Sequence, residues 1–287
     1  MSDNGVVVDE QETYSLEYFK SLYRQRRDAF QANAAVNEEL RLWKARDDGF
    51  RYVELAHGLV PDSVLGKAFT RGKEPYSRSD TFFSEYELHN PDSMILSKTD
   101  DSYIIGNLES YDKRQYPSWL DQKYASKTPE GQGFGHCFVI PRKRVFNIVD
   151  HEATADDCAL IKEMKTHFLT YWNDPIHRKE LLHSVENVFG AQNHKLSEKN
   201  EAEFEATSPR VTEDYHEMAK QFLKLEAKDF VFAFHPYPDY SVGHLHMHVF
   251  PRDEALRRVS SKQHDKKTIP LEAVLQVEKE DKLKGLV

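Results

Sequence analysis

The chain has 287 residues and a formal net charge of −9, enough length for one large domain or two small ones with a real core. The acidic balance argues against a general nucleic-acid binder or a membrane-surface binder, because both need a basic field. Two cysteines without zinc spacing (Cys137 and Cys158), no signal-like leader and no membrane-length apolar window point to the cytosol, with nuclear access open.

In chain order, residues 1–12 read as disordered. Residues 13–79 read as a helical N-terminal extension. Leu16, Phe19, Leu22 and Tyr23 recur at three- and four-residue steps, and Phe30, Leu40 and Trp43 continue the pattern. Such an extension can pack, cover a site or build a homodimer. Residues 80–255 read as the main domain. The stretch 81–89 alternates like a strand, and 94–98 with 102–108 form a hairpin around Thr99, Asp100 and Asp101. Residues 109–133 make a long polar and aromatic loop. Cys137 to Ile140 is an apolar strand stopped by Pro141, followed by Arg142, Lys143 and Arg144.

A helix is expected over 154–172, opened by Thr154 and Asp157 in a variant capping box. Residues 175–205 read as a charge-rich helical insertion with a solvated face, and 211–225 as a further helix. The stretch 229–235 is strand-like. Residues 256–287 read as a charged tail, within which LEAVLQV can dock as a strand or helix. The sum is α+β: an antiparallel sheet with helices packed on one face.

Residues 240–251 read YSVGHLHMHVFP. Alternation by two is a strand pattern, so His244, His246 and His248 share one face while Leu245, Met247 and Val249 face a core. Three readings fit the row. It can be a solvated sheet face. It can hold a metal, although His244 and His248 lie about 13 Å apart on a strand rising roughly 3.3 Å per residue. Metal–nitrogen bonds of about 2 Å then allow an ion two of the three, with another ligand elsewhere. Or it can be a catalytic row facing an anion, with neutral imidazole as nucleophile and protonated neighbours as phosphate donors.

His244-Leu245-His246-Met247-His248-Val249-Phe250 resembles the signature of the histidine triad (HIT) superfamily, and Ser241-Val242 is similar to its lead-in. FGHCFVIPRKRVFNIVD at 134–150 resembles the second recurring segment of that superfamily, in which His136 matches a fourth active-site histidine. The resemblance covers about residues 80–255. It implies a HIT-like sheet and a hydrolase that cleaves a phosphoanhydride or phosphoramidate bond of a nucleotide or cap-like dinucleotide. His246 would attack phosphorus and form a phosphohistidine, its other nitrogen protonated against a backbone carbonyl. His248 would donate to phosphate or leaving-group oxygens, and His244 and His136 would complete the network. Ser241, Tyr240, His235, Arg142 and Lys143 would bind a small anionic substrate. No metal and no cofactor is implied.

The loop before the row departs from small nucleotide-hydrolysing members. Asp239-Tyr240 stands where they carry Gly-Gln, and Ala233 where they carry Asn. His235, Pro238 and Tyr240 are more similar to a stretch of the scavenger mRNA decapping enzymes. The gap to the triad is two residues longer here, and the N-terminal extension shorter. Tyr111, Tyr116, Trp119, Tyr237 and Tyr240 are candidates for stacking on a base. Two alternatives stay open: a nucleotidyl transferase or repurposed enzyme with a non-nucleotide substrate, and a non-catalytic nucleotide-binding protein.

Overall fold

The structure is a computed structural model that describes residues 14–45, 70–71, 74–75, 83, 86–107, 133–240, 242–257 and 262–285. Residues 1–12, most of the 109–133 loop, Ser241, and Tyr111, Tyr116 and Trp119 lie outside the described residues.

Short stretches rich in aromatic and β-branched residues build one antiparallel sheet. Its strands are β3 (Ile95–Lys98), β4 (Ser102–Gly106), β5 (Cys137–Pro141), β6 (Phe230–Phe234), β7 (Met247–Pro251) and β8 (Ile269–Pro270), in the order β3-β4-β5-β7-β6-β8. A separate two-stranded ladder joins β1 (Thr70–Arg71) to β2 (Glu74–Pro75). The β3–β4 hairpin forms where the sequence places it, its turn closed by Thr99 Oγ1, which accepts from the Asp101 and Ser102 N–H groups.

Alternation sorts the side chains of this sheet. Cys137, Val139, Phe230, Phe232, Phe234, Met247 and Val249 enter the main core. Tyr103, Ile105, Phe138 and Ile140 line a smaller cluster on the other face. The main core is closed by helices α1 (Leu16–Gln31), α2 (Ala34–Ala45), α4 (His151–Asn173), α5 (Pro175–Lys199), α6 (Glu201–Phe222) and α7 (Leu271–Leu283). Trp172, packed edge-on against Phe222 and Phe230, is fully buried, and its Nε1–H donates to the Leu225 carbonyl at 3.1 Å. Among the described residues no helix is long and apolar enough to cross a membrane.

Several elements differ from expectation. Within the stretch 81–89, Tyr86–His89 is a short helix, α3, in place of the expected strand. Phe83 and Tyr86 stand three apart and fold down together on Phe138 and Tyr103. Helix α4 begins earlier than the Thr154 box, with Asp150 as its cap accepting from the Glu152 N–H. It is interrupted at Asp156, Asp157 and Cys158, whose φ values are 51°, 58° and 62°. Left-handed backbone costs about 1–2 kcal/mol per residue. Asp157 in this turn pairs with Lys282 of α7 at 2.6 Å, both side chains being exposed.

The region 175–225 is a long helical hairpin rather than an insertion followed by a separate helix, since α6 starts at Glu201 and runs through Pro209. It is not solvated throughout, because Leu181, Val185 and Phe189 are buried in the core.

The expected tail is the largest difference. Residues 269–283 supply the edge strand β8 and helix α7, which buries Leu271, Ala273, Val274 and Val277. Its charges are matched by α1. Arg27 bonds Glu278 at 3.0 Å and also pairs with Asp281, while Arg24 and Lys20 reach Glu280 at 2.7 and 2.6 Å. Tyr23, fully buried between the helices, donates to Glu278 at 2.8 Å. Charge density along a sequence does not reveal that the partners are a second helix.

Candidate active site

The histidine row is only half a strand. β7 pairs from Met247 onward, so His248 sits on the central strand between Phe138 of β5 and Ala233 of β6. His244 and His246 lie in the extended approach, where the Leu245 N–H donates to the Val145 carbonyl at 2.8 Å. Relative exposures of 0, 6 and 5% for His244, His246 and His248 overturn the solvated-face reading. Leu245, Met247 and Val249 face the core as their spacing requires.

Two of the rings are held by bonds that fix their protons. His246 Nδ1 lies 2.8 Å from the His244 carbonyl. A carbonyl only accepts, so the proton is on Nδ1 and the lone pair is on Nε2. His244 Nε2 donates to the Pro141 carbonyl at 3.1 Å. His136 enters from the start of β5, with Nε2 3.0 Å from His248 Nδ1 and Nδ1 2.7 Å from the amide nitrogen of Asn107. The His246 and His248 ring centroids are 4.9 Å apart.

Burial sets the charge. It pushes His246 down to about 4, against a smaller upward pull from the His244 carbonyl. Burial also takes His136 and His244 down to about 3, with further lowering by the charges of His246 and, respectively, Arg257 and Arg144. The rings of His136, His244 and His246 are therefore neutral near pH 7.

His235 joins the cluster. Its ring centroid is 4.2 Å from that of His248, and its Nε2 bonds Thr268 Oγ1 at 3.0 Å. Phe83 and Phe138 lie against His246, with centroids 5.2 and 5.5 Å away.

Three substrate-binding candidates are not brought to the row. Arg142 bonds Glu87 at 3.1 Å and the Thr99 carbonyl, and lies over the Tyr103 ring. Lys143 is 66% exposed and pairs with Glu152 at 3.6 Å. Tyr240 is buried in the main core, edge-on to Phe146 at 5.6 Å. Among the described residues, the arginine charges felt by the row include that of Arg144, which helps lower His244, and that of Arg257, which helps lower His136. Arg257 lies over the Phe250 ring at 4.5 Å and pairs with Asp265. Among the described residues no group of three His, Cys, Asp or Glu side chains is placed to hold a metal ion.

No family model, no curated protein and no solved structure matches this chain.

The chemistry is therefore read from the site itself. Sequence reasoning missed Asn107, Asn147, Thr268, Arg257 and Phe83. Asn107 carried a faint signal as an amide ending the apolar run SYIIGNL, and Asn147 stands within the second segment. Thr268 and Arg257 sit in the stretch read as a tail. Together the residues place a fixed imidazole lone pair and a neighbouring imidazole in a buried cluster that feels the charge of two arginines. Such a cluster suits attack on an electrophile bearing negative charge.

Proposed function

We propose that this chain is a hydrolase of the histidine triad type, cleaving a phosphoanhydride or phosphoramidate bond of a nucleotide or cap-like dinucleotide. The bond from His246 Nδ1 to the His244 carbonyl carries the reading, since it leaves a neutral Nε2 lone pair beside His248. Nε2 attacks phosphorus, and the bond to the leaving group breaks with its electron pair departing on oxygen or nitrogen. The Nε2–H of His248 hydrogen-bonds the departing atom and stabilises its charge, and the proton that atom takes up comes from solvent. Water then attacks the phosphohistidine and releases its proton to solvent, and the P–N bond breaks with its electron pair returning to His246 Nε2. Arg144 and Arg257 supply the long-range positive charge that neutral histidines do not.

A nucleotidyl transferase differs only in the second acceptor. Burial of Tyr240 in the core favours keeping it in view, because a residue expected to meet substrate is otherwise engaged. The test is chromatography of products from a methylated cap dinucleotide, a diadenosine polyphosphate, an AMP amidate and a nucleotide sugar, with wild type and His246→Ala. Release of a nucleoside monophosphate by wild type alone supports hydrolysis. Transfer to an added acceptor supports the second reading, and binding without turnover of any compound sinks both.

A further inference from the structure

We infer that Asn107 is a positioning residue whose amide sets the direction of the protons along the Asn107–His136–His248 chain, so that His248 carries its proton on Nε2. An amide nitrogen can only donate. With Asn107 Nδ2 at 2.7 Å, His136 Nδ1 must accept, and a neutral ring then has its single proton on Nε2. That Nε2–H points the next bond forward to His248 Nδ1 at 3.0 Å, which must accept in turn. The proton of His248 is left at Nε2. His136, His248 and Asn107 are all buried, so bulk water does not compete for these bonds.

The two adjacent rings end up as opposite tautomers. His246 carries its proton on Nδ1 and offers a lone pair at Nε2. His248 offers a proton at Nε2. Were the chain reversed, both rings would present lone pairs, and no imidazole donor would remain for the leaving group. Asn107 stands directly after β4, whose pairing with β5 places it beside His136. The catalytic meaning of this order rests on the phosphohistidine reading, whereas the order itself does not.

The experiment is long-range 1H–15N correlation on the full-length protein labelled with 15N-histidine, near neutral pH, with rings assigned by single His→Gln variants. Nε2–H patterns for His136 and His248 with Nδ1–H for His246 are expected. Nδ1–H at His136 in wild type overturns the inference, and this needs no variant. In Asn107→Leu the amide donor is gone, so His136 and His248 should become tautomer mixtures while His246 is unchanged. Wild-type patterns for all three in that variant overturn it too. On any substrate turned over, Asn107→Leu should lower kcat by about 10- to 100-fold with KM moved less than about threefold. An unchanged kcat overturns the positioning role. The expected tautomers in a wild type that turns over nothing support the proton order and count against the phosphohistidine reading alone.

Discussion

Asn147 holds the backbone of His235 in place from the segment that follows β5. Its Nδ2 donates to the His235 carbonyl at 3.1 Å, and its Oδ1 accepts the Tyr237 N–H at 3.0 Å. One side chain thus acts as a rung of ladder for a loop that has none. With the Val145 carbonyl on Leu245 and the Pro141 carbonyl on His244, the stretch 141–147 templates the approach to the histidine row. Asn147→Ala should destabilise the protein by about 1–3 kcal/mol, because backbone groups lose their partners. Urea unfolding monitored by tryptophan fluorescence measures it, and a midpoint equal to wild type contradicts the template.

His246→Ala should abolish turnover, by on the order of 10³-fold or more, while leaving the far-ultraviolet circular dichroism unchanged. The ring packs on Phe83 and Phe138 outside the main core, so its loss opens a small recess rather than a core cavity. Substantial residual turnover would remove His246 as the nucleophile.

Stability should fall as solutions are made acid, starting well above the carboxylate range. His136 and His244 at about 3, and His246 and His167 at about 4, all lie below the ordinary histidine value of about 6.5. Between those values the unfolded chain binds protons that the native one refuses. The stabilisation from neutral burial is therefore full above about pH 6.5, and is lost progressively as pH falls toward 4 and then 3. Thermal midpoints measured from pH 7.5 down to about 4.5 check the sign. A flat profile would mean that these rings are solvated.

Deleting residues 269–287 should leave a chain that does not fold cooperatively, since it removes β8 and the buried face of α7 and strips α1 of its partners. A milder probe is Asp281→Ala. It leaves Arg27 and Arg24 without a nearly buried carboxylate and should cost about 1–3 kcal/mol, discounted for the partial exposure of the arginines. A folded deletion product seen by circular dichroism and size-exclusion chromatography would refute the core role.

Arg142→Ala and Lys143→Ala should leave kcat/KM within about threefold of wild type, because both side chains are engaged away from the row. Arg257→Ala should weaken it by about 10-fold, mostly through KM, as a flanking positive charge is lost. The reverse ranking in steady-state kinetics would move substrate binding to the far side of β5.

The α+β class and the antiparallel sheet were legible because period-two alternation and a Pro stop act locally on each strand. His136 and the three histidines were legible as a set, but their burial was not, since it depends on Phe83 and Phe138 arriving from other elements. Asp239 shows the limit most clearly. In sequence it is a departure in the loop before the row. In the structure Arg26 of α1 meets it at 2.8 Å, and the Lys267 side chain donates to its carbonyl. The helical extension and the loop account for each other, and no single-segment reading can see a pair separated by so much chain. Thr268, which fixes His235, was hidden for the same reason.

The contact between Thr268 and His235 also imposes a timetable on synthesis. Every histidine of the row is made before Thr268, β8 and α7 leave the ribosome. A nascent chain can therefore hold all of its imidazoles while His235 still lacks its anchor and α1 its partner helix. The anchor of His235 is added late, so a polypeptide stalled or clipped after Pro251 carries the full signature without that anchor and without the partner helix of α1.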